Sequence, residues 1–382
     1  MSSVQPIAES GAGPRTLVVA DEPGLGPYLD AWDRLAVACE RPFCAPAWML
    51  AWWRQARSGD ARLRVTLALE GEEVLAVAPF FAQVAYGLNE LRLLAAGFSH
   101  RIGIVAEPGR EEEAARLLAP ALAAIEPAPA SLVFEGIDAA DPWPELLAAA
   151  WPGRRPRLRT DATMEAPTID LGASYEAWME GRARKFRKEA RRNARRLEEE
   201  GVGERIGADP EAISALLRLH ELRWEDRGGS DVGPESERVL TEAAAGLGAE
   251  GRLEVVLLEG PDGPVSAELL LRAGDAAAFW AGGFDPAWSR HAPGTQTMLV
   301  ALRSAAERGV TFADLGGGDH PYKRRMADGS RPLAWRTLFP RGRRYPLIRL
   351  RLAPKHLRQA LRGLAKRLPP GLCRPLDRLR SR

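Results

Sequence analysis

The predicted helices and strands occur in the same order in both halves of the 382-residue chain. Each half begins with a short extended run, "TLVVA" or "TIDL", and continues with helices, antiparallel strands, a further helix and a last strand. The repeat rests on this order of elements rather than on residue identities. The chain also exceeds the roughly 250–300 residues that one hydrophobic core usually serves. The sequence therefore predicts two tandem α/β domains, each a mixed, mainly antiparallel sheet flanked by helices.

The composition suggests where these domains begin and end. We predict a disordered leader over residues 1–14, domains over 15–165 and 166–340, and a basic tail over 341–382. The N-terminus lacks the basic start and apolar run of a secretion signal, and no apolar stretch approaches the ~20 residues that span a bilayer. The chain has 3 cysteines, too few for a disulfide framework or a zinc cluster. We therefore expect a cytoplasmic protein without a bound metal.

Hydrophobic patterns predict the individual elements. Four extended runs follow one another at hairpin spacing in the first half. They are "LRVTLALE", "EVLAVAPFFAQV", "ELRLLAAG" and "RIGIVAE". In the second half, helical patterns cover residues 174–200, 211–227 and 235–248, and three strand patterns follow them.

The charge of the chain is segregated toward its C-terminal end. Residues 341–382 contain 14 Lys and Arg and the single acid Asp377, so a tail of +13 leaves about −11 on the rest of a chain whose net charge is +2. Within the tail, apolar and basic residues alternate at helical spacing. They are Leu357, Ala360, Leu361 and Leu364 against Lys355, Arg358, Arg362 and Lys366. Such a helix can lie on anionic lipid; docking on the protein body and binding of RNA are the alternatives.

A run of three glycines is followed at once by four polar side chains in "GVTFADLGGGDHPYKRRM", residues 309–326. The spacing does not fit a nucleotide P-loop, since no glycine directly precedes Lys323 and no Ser or Thr follows it. Glycines allow the backbone to approach a ligand closely. We therefore expect Asp319, His320, Tyr322 and Lys323 to form one wall of a ligand site.

A second glycine pair lies in "FWAGGFDPAWSRHAPGTQTMLVALRSAAERG". A strand ends at Gly282 and Gly283, and a helix is predicted to begin near Gly294 and Thr295. The first N–H groups of a helix have no partner within it and carry a partial positive charge, so a pyrophosphate can dock there. Thr295 and Thr297 would serve as caps or ligands, with ordinary helix capping as the alternative.

Together these segments resemble the GNAT-type N-acyltransferases, specifically the CelD-like branch with a doubled, FemAB-like fold. The resemblance covers nearly residues 15–340. Besides the two glycine-containing segments, it is carried by "RPFCAPAWMLAWW" and "RKFRKEARRNARRLEEEG". The chain departs from the better-known Gln/Arg-x-x-Gly-x-Gly/Ala donor loop of the superfamily.

The resemblance implies an acyl group carried by coenzyme A, acetyl or longer, and transferred to an amine. The donor would lie where two central strands of the second domain splay apart, against a strand from Phe279 to Phe284 and a helix start from Gly294 to Thr297. The residues implied to bind it are Gly282, Gly283, Phe284, Gly294, Thr295, Gln296 and Thr297.

The transfer needs a group that accepts a proton from the attacking amine. Glu268, Asp285, Asp319 and His320 are the candidates, and His320 has the best-matched intrinsic pKa; a loop histidine without a role is the alternative. The resemblance implies that Tyr322 protonates the departing thiolate. It also places a recurring Tyr-Lys pair here, and an ammonium such as that of Lys323 suits an anionic ligand.

Nine Lys or Arg occur between Arg182 and Arg196, against the single acid Glu189. On a helical period, one face carries Arg184, Lys188, Arg191 and Arg195, and the opposite, buried face carries Phe186, Ala190, Ala194 and Leu197. Like charges at these spacings repel one another unless an anion neutralises them. We interpret the basic face, with Asp285, as a substrate-binding surface for phosphates or an acidic glycan; a solvated helix face is the alternative.

The sequence therefore predicts acyl transfer from acyl-coenzyme A to an amino group, on a saccharide or a cell-envelope polysaccharide precursor, with the acceptor between the two halves. One rival function is FemAB-like aminoacyl transfer from tRNA to a peptidoglycan precursor, in which the basic helix contacts the tRNA. The other is a binding protein that keeps the GNAT fold without catalysis. We expect a cytoplasmic protein that contacts the inner membrane face through its tail; the binding protein would be attached to a membrane complex through the same tail.

Overall fold

The computed structural model describes residues 13–225, 232–342 and 345–352, and the backbone of residues 4–7. The strands in this part of the chain are β1 (Val4–Ile7), β2 (Pro14–Val19), β3 (Arg62–Glu70), β4 (Glu73–Ala85), β5 (Leu88–Leu93), β6 (Val105–Ala106), β7 (Ser131–Asp138), β8 (Arg157–Met164), β9 (Pro167–Asp170), β10 (Gly203–Gly207), β11 (Leu253–Gly260), β12 (Gly263–Ala273), β13 (Ala276–Phe284), β14 (Phe312–Asp314), β15 (Gly329–Ser330) and β16 (Leu333–Phe339).

The α-helices are α1 (Leu29–Ala38), α2 (Pro46–Ala56), α3 (Glu111–Ala123), α4 (Trp143–Ala150), α5 (Tyr175–Glu180), α6 (Arg184–Glu199), α7 (Pro210–Trp224), α8 (Ser236–Leu247), α9 (Pro293–Glu307) and α10 (Pro321–Met326). A last helix, α11, covers residues 345–352. No helix within the described ranges is long and apolar enough to cross a membrane.

The strands form two mixed sheets with helices packed against them, which confirms the predicted fold class. The first sheet has the order β1-β2-β3-β4-β5-β7-β16-β8, with β6 beside β4, and the second has the order β10-β11-β12-β13-β14-β9-β15. In each sheet all but one neighbouring pair is antiparallel. The parallel pairs are β5 with β7 and β13 with β14.

The C-terminal strand β16 lies in the first sheet, between β7 and β8. The chain crosses from the first sheet to the second between β8 and β9, and it returns with β16 after completing the second sheet. Leu333–Phe339 thus lies within the range predicted for the second domain while pairing with strands of the first. The predicted domain boundary between residues 165 and 166 remains a prediction, because β16 follows the strands of the second sheet in the chain but pairs within the first sheet.

The two halves share one hydrophobic core. The larger cluster of buried side chains runs from Val65 on β3 to Val255 on β11, so it joins both sheets. A second cluster, which includes Phe186 and Met298, lies under α6 and α9 in the second half. Helix α2 also packs against α8, where Arg54 and Glu242 form an ion pair of 2.5 Å.

The structure corrects four details of the sequence analysis. The helix predicted over 174–200 is two helices, because Gly181 ends α5 and Ala183 has an extended backbone. Only Val105–Ala106 of "RIGIVAE" is a strand. On α6, Asn193 is buried and Ala194 is exposed, the reverse of the predicted pattern. Residues 4–7 of the leader pair with β2 instead of lacking structure.

Helix α11 connects the body to the basic tail. Ile348 and Leu352 on its inner face are buried with Leu88, Ala130 and Phe339. Arg351 donates a hydrogen bond to the Gly87 carbonyl at 2.7 Å. The amphipathic segment predicted around Leu357 to Lys366 lies outside the described residues.

Candidate active site

The central feature of the second sheet is an opening between β13 and β14. The two strands pair in parallel only from Ala276 to Ala278 and from Phe312 to Asp314. Beyond this point β13 continues to Phe284, whereas β14 gives way to the glycine turn of residues 315–318. We call the space between them the donor opening. The sequence analysis predicts the acyl donor at this place, and this remains a prediction.

Glu268 is buried beside the donor opening. It lies opposite Gly282 in the antiparallel pair of β12 and β13, and a Cβ on Gly282 would lie 2.0 Å from its Oε2 atom. A Cβ on Gly283 would lie 2.2 Å from the backbone nitrogen of His220 on α7. The two glycines, predicted to contact the donor, therefore make room first for a carboxylate and a helix of the protein itself.

Burial raises the pKa of Glu268 to about 7, and the positive charges of Arg223 and Lys323 only partly offset this effect. A carboxyl group with such a pKa exchanges its proton near neutral pH. This is the property that a general base in acyl transfer needs.

The Lys323 side chain is buried beneath the glycine turn. Its Nζ atom donates hydrogen bonds to the carbonyls of Gly316, at 3.1 Å, and Gly317, at 2.9 Å. Burial lowers its pKa to about 8, against the opposing influence of Glu268 and Asp314. Lys323 lies in the first turn of α10, which begins at Pro321, and its side chain is buried, whereas the next residues, Arg324 and Arg325, are exposed.

Arg223, which the sequence analysis did not select, completes the cluster from the last turn of α7. Its guanidinium lies 5.5 Å from the ring of Tyr322 and 5.3 Å from that of Phe284. It also donates to the Gly282 carbonyl at 3.2 Å. Burial and the charge of Glu268 raise the pKa of Tyr322, so the phenol keeps its proton. No local motif marks Arg223, because it lies about 60 residues before the glycine pair it contacts.

His320 and Asp319 lie at the rim of this cluster. The His320 ring stacks on Tyr322 with centroids 5.9 Å apart, and partial burial, Lys323 and Arg223 lower its pKa. Asp319 is exposed and pairs with Arg324 at 2.9 Å. The structure thus brings Glu268, Tyr322 and Lys323 together and leaves these two predicted residues outside.

The start of α9 is only partly open. Gly294 and Thr295 are half-buried, whereas Gln296 and Thr297 are buried. Thr297 Oγ1 lies 2.8 Å from Ser266 Oγ and 3.0 Å from the Pro293 carbonyl, so its hydroxyl is used within the protein. Of the predicted helix-start residues, Gly294 and Thr295 remain for a ligand.

The predicted substrate-binding residues lie on two separate elements. Asp285 accepts a hydrogen bond from the Ala287 nitrogen at 2.9 Å and so caps a short 3₁₀ turn. The four basic residues of the α6 face are all exposed. They are Arg184, Lys188, Arg191 and Arg195. Helix α6 contacts α10 through Arg325, which pairs with Glu189 and lies over the Phe186 ring.

Comparisons with known proteins bear on the fold of the chain. Residues 184–324 match the family described as "Acetyltransferase (GNAT) domain". The fold is similar to the crystal structure of FemX, with a TM-score of 0.64, 12% identity and coverage of 84% of this chain and 98% of that chain. It is also similar to the C-terminal domain of a putative lysylphosphatidylglycerol synthetase from Agrobacterium fabrum, with a TM-score of 0.51, 13% identity and coverage of 81% and 90%. No curated protein sequence matches the chain.

These findings establish a doubled GNAT fold, as the sequence predicted, with a GNAT domain in the second half. The matched range begins with α6 and ends one residue after Lys323, so it contains most of the cluster just described. Within the described parts of the chain, no group of three or more His, Cys, Asp or Glu side chains is placed to hold a metal ion.

The lowered pKa of Lys323 can be measured without any substrate, because the chain has only five lysines, the others being Lys185, Lys188, Lys355 and Lys366. In a protein labelled with 13C at lysine Cε, we expect one NMR signal to titrate near pH 8, which is the signal of Lys323. Lys323→Arg should remove this signal. Spectra without a signal that titrates near pH 8 would contradict the buried site.

Proposed function

We propose that the protein transfers an acyl group from acyl-coenzyme A to an amine, with the donor carbonyl in the donor opening. The observation that carries this proposal is the burial of Glu268 and Lys323 beside the same opening, two ionisable groups whose pKa values are both shifted close to neutrality, to about 7 and about 8. Perturbed groups of this kind are concentrated at catalytic sites. The GNAT match of residues 184–324 supports acyl transfer as the class of reaction.

The donor fits the second half better than the first. Helix α9 has no acidic residue in its first turn. The corresponding helix of the first half, α3, begins with Glu111, Glu112 and Glu113. Three carboxylates at a helix start repel a phosphorylated carrier, whereas an uncharged start attracts one. We therefore assign the donor to Gly294 and Thr295, and the acceptor to the side of the first half.

Glu268 and Tyr322 carry out the proton transfers of the reaction. The amine nitrogen forms a bond to the donor carbonyl carbon, and Glu268 accepts the proton that the nitrogen loses. The charges of Lys323 and Arg223 stabilise the oxyanion that develops on the carbonyl oxygen. The carbon–sulfur bond then breaks, Tyr322 protonates the leaving thiolate, and the phenol regains a proton from Glu268. The net result is an amide and a free thiol.

The pH dependence of kcat/KM tests these roles. Acyl-coenzyme A consumption over a panel of amines, including amino sugars, should rise with pH as Glu268 ionises near 7 and fall as Lys323 loses its proton above about 8. Glu268→Gln should remove the rising limb and lower kcat by roughly 10²–10⁴-fold, the usual contribution of a general base.

The control is Glu259→Gln, which changes a carboxylate on β11 that contacts Arg205 rather than the cluster. It should leave the profile unchanged. A rising limb near pH 7 that persists in Glu268→Gln, with a midpoint that does not change with the pKa of the amine used, would rule out this base. Tight donor binding without turnover of any amine would instead favour the non-catalytic binding protein.

The alternative donor is an aminoacyl-tRNA, which the FemAB-like resemblance implies. The feature that favours it is a basic surface on the outer faces of α6 and α10, two helices that contact each other through Glu189 and Arg325. Its exposed members are Arg184, Lys185, Lys188, Arg191, Arg192, Arg195, Arg196, Arg324 and Arg325. Because α10 carries Lys323 on its inner side, a polyanion on this surface would have its end close to the donor opening.

Charge reversal on α6 separates the two donors. Arg191→Glu with Arg195→Glu should weaken binding of aminoacyl-tRNA at least tenfold and reduce its salt dependence, since each lost phosphate contact lowers the slope. Binding of acyl-coenzyme A should change little. Arg116→Glu on α3, another exposed arginine on a helix, is the matched control. Wild-type protein that binds acyl-coenzyme A and no tRNA would exclude the alternative.

We further propose that the protein acts at an anionic membrane surface. The support in the described residues is the outer face of α11, where Leu347 and Leu350 are 49% and 71% exposed. Arg349 and Arg351 flank these leucines on the same helix, and the basic tail follows directly. An apolar face between basic side chains is typical of helices that lie in the interface of anionic bilayers.

Flotation of the full chain with lipid vesicles tests this surface. We expect binding to phosphatidylglycerol vesicles, little binding to phosphatidylcholine vesicles, and loss of binding as salt is raised. Leu347→Glu with Leu350→Glu should weaken the binding several-fold. Ile206→Glu, at an exposed apolar residue of the second sheet, should not. Equal binding by all variants, or none by the wild type, would overturn the proposal.

A further inference from the structure

Arg101 extends from the first half of the fold to the glycine turn of the second. It lies between β5 and β6 in a left-handed backbone conformation, with φ of 54°, which is uncommon for a residue other than glycine. The Arg101 nitrogen donates to the Gly136 carbonyl at 2.6 Å, which fixes this backbone on β7. The side chain is only 14% exposed.

The guanidinium of Arg101 joins groups from both halves. Nη1 pairs with Asp138 at 2.6 Å, on the last residue of β7. Nε pairs with Asp314, on the last residue of β14. Nη2 donates to the Arg331 carbonyl at 2.6 Å, just before β16. One planar cation thus links the ends of three segments that the sequence separates widely.

Asp314 carries this contact into the active site. The carboxylate is 4% exposed. Its Oδ2 atom faces Arg101, and its Oδ1 atom accepts a hydrogen bond from the Gly316 nitrogen at 2.9 Å. The carbonyls of Gly316 and Gly317 in turn accept from Lys323. The orientation of the glycine turn, and with it the place of the ammonium, depends on where Asp314 is held.

A buried carboxylate is costly unless a cation and hydrogen bonds compensate it. A second contact holds the segment between β5 and β6 that contains Arg101, since Trp280 on β13 donates to the Phe98 carbonyl at 2.8 Å.

Arg101 also borders a cavity of about 170 Å³ between the halves. This cavity is smaller than the roughly 300–1,000 Å³ of typical ligand pockets, so we assign no ligand to it.

We propose that Arg101 is a positioning residue of the active site, which holds the glycine turn and Lys323 in place through Asp314. The first half would then complete the donor site of the second rather than merely pack against it. The proposal rests on the proposed function for its catalytic meaning. Its test uses only the titration of Lys323, so the result stands whichever donor the protein uses.

Substitution of Arg101 should shift the pKa of Lys323, measured from its Cε signal, in a defined direction. The charged groups that face Lys323 are Glu268, Asp314 and Arg223, and the titratable imidazoles of His100 and His320 also lie near it. In Arg101→Met the carboxylate of Asp314 loses its compensating cation, so the pKa of Lys323 should rise by about one unit. Asp314→Asn keeps a hydrogen-bond acceptor and removes the negative charge, so the pKa of Lys323 should fall instead. Arg101→Lys should lie near the wild type.

The matched control is Arg41→Met, which breaks a buried ion pair within the first half, where Arg41 contacts Asp141 at 2.7 Å. It should lower the melting temperature and leave the Lys323 titration unchanged. If Arg101→Met likewise lowers the melting temperature and leaves the Lys323 titration unchanged, Arg101 has only a structural role and the proposal is wrong. If Arg101→Met fails to fold, Arg101→Gln decides in its place: a raised pKa of Lys323 supports the proposal, and an unchanged one overturns it.

Discussion

Everything in the candidate active site depends on the burial of Lys323 next to Glu268. An ammonium and a carboxylate that share a site removed from water each reduce the cost of burying the other, yet neither is fully compensated. Burial therefore leaves their pKa values near 8 and near 7, instead of the ordinary values of about 10.4 and 4.3. The glycine turn makes this arrangement possible, because its carbonyls provide the lysine with acceptors that no side chain could place so closely.

The candidate active site lies in the second half of the fold. Both sheets contain a short parallel pair, β5 with β7 and β13 with β14. In the second sheet the end of the pair leads to glycines. In the first sheet the segment after β5 contains His100 and Arg101, which approach or contact the turn of the other half. The two halves thus share this topology, but His100 and Arg101 of the first half lie against the candidate active site of the second. Strand β16 also connects the two sheets, because it follows the second sheet in the chain and pairs with β7 and β8 of the first.

The sequence predicted what local patterns determine. The strand β13, the helix α9, the glycine turn and the doubled order of elements follow from periodicity and from glycine positions. Glu268, Tyr322 and Lys323 could be selected because they lie within or beside those motifs. Arg223 and Arg101 could not, since each reaches the site from an element far away in the chain. The pairing of β16 could not be predicted either, because strand pairing across about 170 residues leaves no local signal in the sequence. Thr297 was selected for its type, and only the structure shows that Ser266 and Pro293 occupy its hydroxyl.

The central claim is that the donor carbonyl lies between β13 and the glycine turn of the second half. Photo-crosslinking tests it most directly, with a coenzyme A thioester whose acyl group carries a diazirine, followed by peptide mapping of the labelled protein. Our account predicts label within residues 279–284 or 315–323. Label in the matching place of the first half, residues 94–104 or 133–138, would contradict it.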